Sequence, residues 1–215
     1  LEKKVFIYDL KKYFIENNLY GVDIDISAIE LAKLRLWLSL VIEEESFEKI
    51  KPLPNLDYKL IQGNSVVERI GNVNFEKESS DLFGDLISKD IKVELRKLQS
   101  NYFNSTSKRN KKIFKEKINL YFNNIIFEHL KEKVNSNKNL EKHNILKFNK
   151  SDTQLGNKDF FLWKVFFYDV FDVKKGFDII ISNPPYIKEY SNKDAFAELK
   201  DHKYYKGKMD IWYFF

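Results

Sequence analysis

The sequence predicts an α/β fold, a core of short strands and apolar helices interrupted by a helical insertion. Three observations carry that prediction. Between residues 19 and 42, a strand closed by a carboxylate leads straight into a long apolar helix. At Asp178-Ile179-Ile180-Ile181, a short apolar run is cut off by Ser182-Asn183-Pro184-Pro185-Tyr186, as a buried strand is stopped by a rigid loop. Between these, residues 76–150 become rich in Lys, Glu and Asn, with no proline and a single glycine, Gly84.

Taken in order, residues 5–16 are expected to form a helix with Phe6, Leu10, Tyr13 and Phe14 on one side, ended by Asn17-Asn18. Residues 19–24 read as a strand with Asp23 and Ile24 at its end. Residues 27–42 carry the strongest helical signal. Ser27 and Glu30 form a capping-box pattern. Ile29, Ala32, Leu36 and Leu40 make one stripe, and Leu31, Leu34, Leu38 and Val41 an adjoining one. So wide an apolar arc predicts burial against a sheet. Strand, acidic end and helix make half of a nucleotide-binding unit, in which the carboxylate takes ribose hydroxyls. Asp23 is placed for that role, and Asp25 for helix capping. In the other reading, both aspartates simply start the helix.

Residues 52–58 form a loop into a strand at 59–62, which Gly63-Asn64-Ser65 ends. Segments 91–98 and 113–134 have helical spacing, with Ile118, Tyr121 and Phe122, Ile125 and Ile126, His129 and Leu130, and Lys133 recurring along the second. Two or three long helices, set outside the sheet, are expected there, followed by a polar linker at 135–139. The cluster Lys108-Arg109-Asn110-Lys111-Lys112 suits either a phosphate contact or a solvated helix start. Phe160-Phe161-Leu162-Trp163-Lys164-Val165-Phe166-Phe167 returns the chain to the core, and Tyr168-Asp169-Val170-Phe171-Asp172 follows.

Composition narrows the class. The 215 residues are 43% hydrophobic and 16% aromatic, ample for a core. With no cysteine there are no disulfides and no thiolate metal site, which fits a cytoplasmic protein. No apolar run approaches the roughly 18 residues of a membrane span. The net charge of +5, from 37 basic and 32 acidic residues, permits nucleic-acid binding without demanding it. His129, His143 and His202 lack metal-ligand spacing, so no metal is expected. The leucine at position 1 and the apolar Ile211-Trp212-Tyr213-Phe214-Phe215 lead us to expect an internal segment of a longer protein.

The loop at 183–186 can do specific chemistry. The Asn183 side chain offers a carbonyl acceptor, and the Pro184 carbonyl offers another, held by the fixed φ angles of Pro184 and Pro185. Tyr186 offers a flat face. Two acceptors and a stacking surface suit a planar ring that bears an amino group. Such an amine is a poor nucleophile, because its lone pair is delocalised into the ring. Acceptors out of the ring plane favour a tetrahedral nitrogen and aim that lone pair at an electrophile. The alternative is an ordinary Pro-Pro turn.

Asn183-Pro184-Pro185-Tyr186 resembles the catalytic motif of amino-group methyltransferases that use S-adenosylmethionine, above all the adenine-N6 DNA methyltransferases. Leu19-Tyr20-Gly21-Val22-Asp23-Ile24-Asp25, the helix Ala32-Lys33-Leu34-Arg35-Leu36-Trp37-Leu38, the aromatic-Leu-Trp and Asp-Val-Phe runs, and Gly207-Lys208-Met209-Asp210-Ile211 look like the type IIG restriction–modification branch. The resemblance covers residues 19–65 and 160–215. It implies an incomplete Rossmann-like methyltransferase core in two parts, 1–75 and 157–215, around a helical insertion at 76–156. It also implies catalytic residues Asn183, Pro184, Pro185 and Tyr186, and S-adenosylmethionine held by Asp23, Ile24, Asn64 and Ser65. The implied substrate is double-stranded DNA with a flipped adenine. Relatives carry a glycine-rich loop ahead of the ribose carboxylate. The 18 residues before Leu19 hold no glycine, so that loop is expected upstream and the isolated segment is expected to be inactive. RNA or protein amines are alternative substrates, and a non-catalytic scaffold is the non-enzyme alternative. Asp194 with Glu198-Leu199-Lys200 has the spacing of a nuclease metal site, which chance readily produces in so lysine-rich a chain.

Overall fold

The structure is a computed structural model. It describes residues 2–44, 46, 48, 56–70, 73–75, 87–136, 155–200 and 202–215. Its elements, in order, are α1 (Glu2–Asn17), β1 (Gly21–Asp23), α2 (Ile26–Val41), β2 (Leu60–Gln62), β3 (Arg69–Ile70), β4 (Val73–Asn74), α3 (Lys89–Asn104), α4 (Lys108–Ser136), α5 (Trp163–Phe166) and α6 (Tyr168–Val173). Two 3-10 turns follow, Asp194–Leu199 and Ile211–Phe214.

β1 and β2 pair in parallel, with Gly21 opposite Leu60, Val22 opposite Ile61 and Asp23 opposite Gln62. Parallel pairing requires a crossover, and α2 supplies it. The two faces of β2 are covered by different layers, as strand alternation requires. Leu60 packs with Tyr8 and Ile15 of α1 and with Ile29 and Leu40 of α2. Ile61 packs into the larger core on the other face. That core holds Leu95, Leu98 and Tyr102 of α3, Ile118, Phe122 and Ile126 of α4, and the aromatic run from Phe160 to Tyr168. Helices therefore cover both faces of the parallel pair. The helical segment shares the larger core with Ile61 of β2. Burial of Phe122, Phe161 and Phe167, each fully enclosed, stabilises the fold by roughly 1.5–3 kcal/mol per side chain. β3 and β4 form a small antiparallel pair, and Phe75 after it plugs the same core.

The helices begin and pack in ways the sequence only partly foretells. The N-cap of α2 is Asp25, whose carboxylate accepts from the Ser27 amide at 2.8 Å. It replaces the expected Ser27–Glu30 box, and Glu30 instead pairs with Lys33 at 2.9 Å. Of the two apolar stripes on α2, only Ile29, Ala32, Leu36 and Leu40 pack inward, while Leu31, Leu34 and Leu38 stay exposed. Among the described residues the parallel sheet has two strands, narrower than the apolar arc of the helix. On α1, Tyr8 and Ile15 are buried, while Phe6, Leu10, Tyr13 and Phe14 face outward. α3 is capped by Ser88, and α4 runs on through Asn135 and Ser136, the first residues of the expected linker. The rest of that linker, most of the 52–58 loop, Gly84 and His143 lie outside the described residues.

A carboxylate ties the helical segment to the core. Asp57 accepts from the Tyr102 hydroxyl of α3, pairs with Lys33 of α2 at 3.1 Å and lies 3.9 Å from Lys115 of α4. Burial pushes its carboxyl up, but the Tyr102 and Lys33 hydrogen bonds and the charges of Lys33 and Lys115 outweigh that and hold it below the usual range. On the far side of α3, Lys92 and Arg96 clamp Asp172 of α6, each at 2.7 Å.

Candidate active site

The residues expected to hold a cofactor meet at one end of the parallel pair. Asp23 closes β1, and across from it Gln62 closes β2. The Gly63 amide donates to the Asp23 carbonyl at 2.9 Å, and the Gln62 side-chain amide donates to the Ile24 carbonyl at 2.9 Å. These bonds hold the two strand ends together, so that Asp23, Ile24, Asn64 and Ser65 share one edge. Asp23 is exposed, and one of its oxygens accepts from the Asp25 amide at 2.9 Å. The Asn64 oxygen accepts from the Val66 amide at 3.3 Å, forming an Asx turn. Its second lone pair and its NH2 group remain the functional groups it can offer outward. Gly63 is required by close packing: a Cβ there would lie 2.6 Å from Phe161 Cδ2 and 3.1 Å from the Phe160 carbonyl oxygen.

The loop at 183–186 is presented openly. Asn183 and Tyr186 are exposed, Tyr186 at 90%. The segment before it departs from expectation. Ile179, Ile180 and Ile181 are 79%, 75% and 91% exposed, and they belong to none of the strands of the structure. The apolar run has the composition of a buried strand, but among the described residues no strand pairs with it. A strand acquires burial from its neighbours and not from its own composition.

An aromatic cluster joins the segment ahead of the loop to the strand-end edge. Phe177, just ahead of the isoleucines, packs edge-on against Tyr20, Trp163, Phe167 and Phe171, with ring centroids 5.5–5.9 Å apart. Tyr20 immediately precedes β1, and its hydroxyl donates to Asp169 at 2.6 Å. Burial and that carboxylate both push the Tyr20 hydroxyl well above its ordinary pKa, so it stays a donor. The Trp163 indole donates to the Ser65 carbonyl at 3.0 Å. Lys59 lies 4.0 Å over the Tyr20 ring, and burial lowers its pKa, partly offset by Asp169.

These supporting residues were not singled out as functional from the sequence, although the aromatic-Leu-Trp and Asp-Val-Phe runs contain Trp163 and Asp169. The sequence signal was there, but the contacts span 98 and 149 positions. The nuclease spacing finds no support in the geometry: Glu198 pairs with Arg69 at 3.3 Å, and no group of three or more metal-capable side chains forms among the described residues. His129 is buried against Phe75. No helix among the described residues is long and apolar enough to cross a membrane.

Comparison with known proteins places this arrangement among the methylases of restriction–modification systems. A family model described as Eco57I restriction-modification methylase matches residues 17–215, and the chain belongs to that family. A 71-residue stretch is 51% identical to a protein of Methanocaldococcus jannaschii named "Putative type II restriction enzyme and methyltransferase RM.MjaORFECS2P". That match takes in 31% of this chain and 6% of the relative, so the chain spans a small fraction of the relative's length. No solved structure gives a significant match.

Proposed function

We propose that this chain belongs to a DNA methyltransferase that transfers a methyl group from S-adenosylmethionine to the exocyclic amine of adenine, within a type IIG restriction–modification enzyme. The observation that carries the reading is the open presentation of Asn183-Pro184-Pro185-Tyr186 in a chain of the methylase family. In this reading the parallel pair, covered by helices on both faces, is part of a Rossmann-like core in two parts, 1–75 and 157–215, around the helical segment 76–156. The enzyme works in the cytoplasm.

The residues at the strand ends fit the cofactor chemically. The exposed Asp23 carboxylate accepts from ribose hydroxyls, Ile24 offers an apolar contact, and Asn64 with Ser65 offers polar groups to a purine edge. When bound, S-adenosylmethionine supplies a methyl group made electrophilic by a positively charged sulfur. The protein's part is to position the amine. The Asn183 side-chain oxygen and the Pro184 carbonyl accept its two N–H bonds and turn its lone pair outward, and Pro185 keeps that carbonyl fixed. Tyr186 stacks on the adenine once it has left the duplex.

The test separates binding from transfer in the full natural chain. Asn183→Ala is expected to lower transfer at least about 100-fold while leaving the cofactor dissociation constant within a few-fold. Asp23→Ala is expected to weaken cofactor binding by about 10-fold or more, the loss of one charged hydrogen bond. Calorimetric titration with S-adenosylmethionine and single-turnover methylation read the two effects. The reverse pattern would refute the assignment.

A further inference from the structure

The chain that leaves the 183–186 loop is built into a stiff hairpin. The Ile211 amide donates to the Ile187 carbonyl at 2.8 Å, the Glu189 amide to the Met209 carbonyl at 2.9 Å, and Lys188 bridges Asp210 in antiparallel fashion. Glu189 is the staple. Its carboxylate accepts from the Tyr205 hydroxyl at 2.5 Å and from the Met209 amide at 3.4 Å. The turn closes through Gly207 at φ 77° and Lys208 at φ 53°, a left-handed conformation that lysine adopts only when its surroundings impose it.

The charges of this hairpin are sorted. Glu189 is bonded to Tyr205, Glu198 to Arg69, and Asp210 accepts from the Trp212 indole at 3.3 Å. Asp194 stays exposed, but so do Lys188, Lys200, Lys206 and Lys208. Tyr190 is exposed too, with the Lys188 ammonium 5.8 Å from its ring centre. With Glu189 and Asp210 half-buried and bonded, and the exposed Glu198 paired with Arg69, exposed lysines outnumber exposed unpaired carboxylates, and together with Tyr190 they make a surface for a phosphate backbone with unstacked bases beside it.

We propose that the hairpin of residues 187–211 grips the DNA backbone next to the base presented at Asn183, with Lys188, Lys200 and Lys206 as phosphate contacts. This rests on the reading of 183–186 as the loop that receives the target base. The stapled geometry sets the lysines at a fixed distance from that loop, so backbone contact and base presentation are coupled.

The test uses the full natural chain and a fluorescent DNA duplex, with binding followed by anisotropy between about 50 and 200 mM salt. The variant is the triple Lys188→Gln, Lys200→Gln, Lys206→Gln, checked by circular dichroism for native structure. Loss of three phosphate contacts makes the slope of log K against log salt shallower by about 2.7. An unchanged slope overturns the proposal even if the wild-type protein methylates DNA, and so does a wild-type protein that does not bind DNA. Should the triple variant show the shallower slope while the wild type transfers no methyl group, the hairpin stands as a DNA contact and the methylation reading fails. Asn183→Ala should leave the slope as in the wild type.

Discussion

Replacing Asp57 by Asn tests the physical link between the helical segment and the core. Asp57 touches three elements: Lys33 of α2, Tyr102 of α3 and Lys115 of α4. Asparagine keeps an oxygen for the Tyr102 hydroxyl but removes the charge that holds the two lysines. Lys33 is the more costly to strand, since its side chain is only 12% exposed and, among the described residues, it is left with the exposed Glu30 as its ion-pair partner. A hydrogen bond to a charged group contributes roughly 1.5–3 kcal/mol. The partial exposure of Asp57 screens the pair and moves the expected loss to about 1–2 kcal/mol. At a urea m-value of about 2 kcal/mol/M, the midpoint falls by roughly 0.5–1 M. The pH dependence carries a sign. The folded pKa of Asp57 lies below its unfolded value, so its contribution is present above the unfolded value and is lost as pH falls through the folded one. The gap between wild type and variant should hold from neutral pH to about pH 5 and close below about pH 4. Urea titrations at several pH values measure it. A midpoint shift under about 0.1 M, or a gap that persists in acid, would refute the link.

Gly63→Ala should destabilise the protein by about 1–3 kcal/mol, because the new Cβ must displace the buried Phe161 ring and the Phe160 carbonyl. It should also weaken cofactor binding, since Asn64 and Ser65 move with it; denaturation and calorimetric titration read the two effects. Tyr20→Phe keeps the ring packing and deletes the hydrogen bond to Asp169, for an expected loss of about 1–2 kcal/mol in the same urea assay.

The order of β1, α2 and β2 was readable because their signals are local. An acidic strand end, a run of helical spacing and a Gly-Asn-Ser stop each lie within a few residues of the element they define. The long periodicity of residues 113–134 was readable for the same reason. What could not be read depends on distant partners. The isoleucines at 179–181 have the composition of a buried strand, yet pairing is a property of neighbours. Asp57 sat in a stretch that reads as loop, and its role appears only when Tyr102, 45 positions on, is folded against it. The cap of α2 illustrates a smaller failure. Asp25 and Ser27 both have capping chemistry, and only the backbone path decides which serves. At the candidate site, the roles proposed for residues 23, 64 and 183 come from their residue types and the sequence resemblance, whereas the aromatic cluster of Tyr20, Trp163 and Phe177 beside them emerges only from the fold.

The most direct test of the central claim is to incubate the full natural chain with labelled S-adenosylmethionine and, in separate reactions, DNA, RNA and cell protein. Digestion of the DNA to nucleosides and chromatography then identify the product. The account predicts label in N6-methyladenine from DNA, abolished by Asn183→Ala. Label in RNA or protein alone, or label in DNA that survives Asn183→Ala, would contradict it.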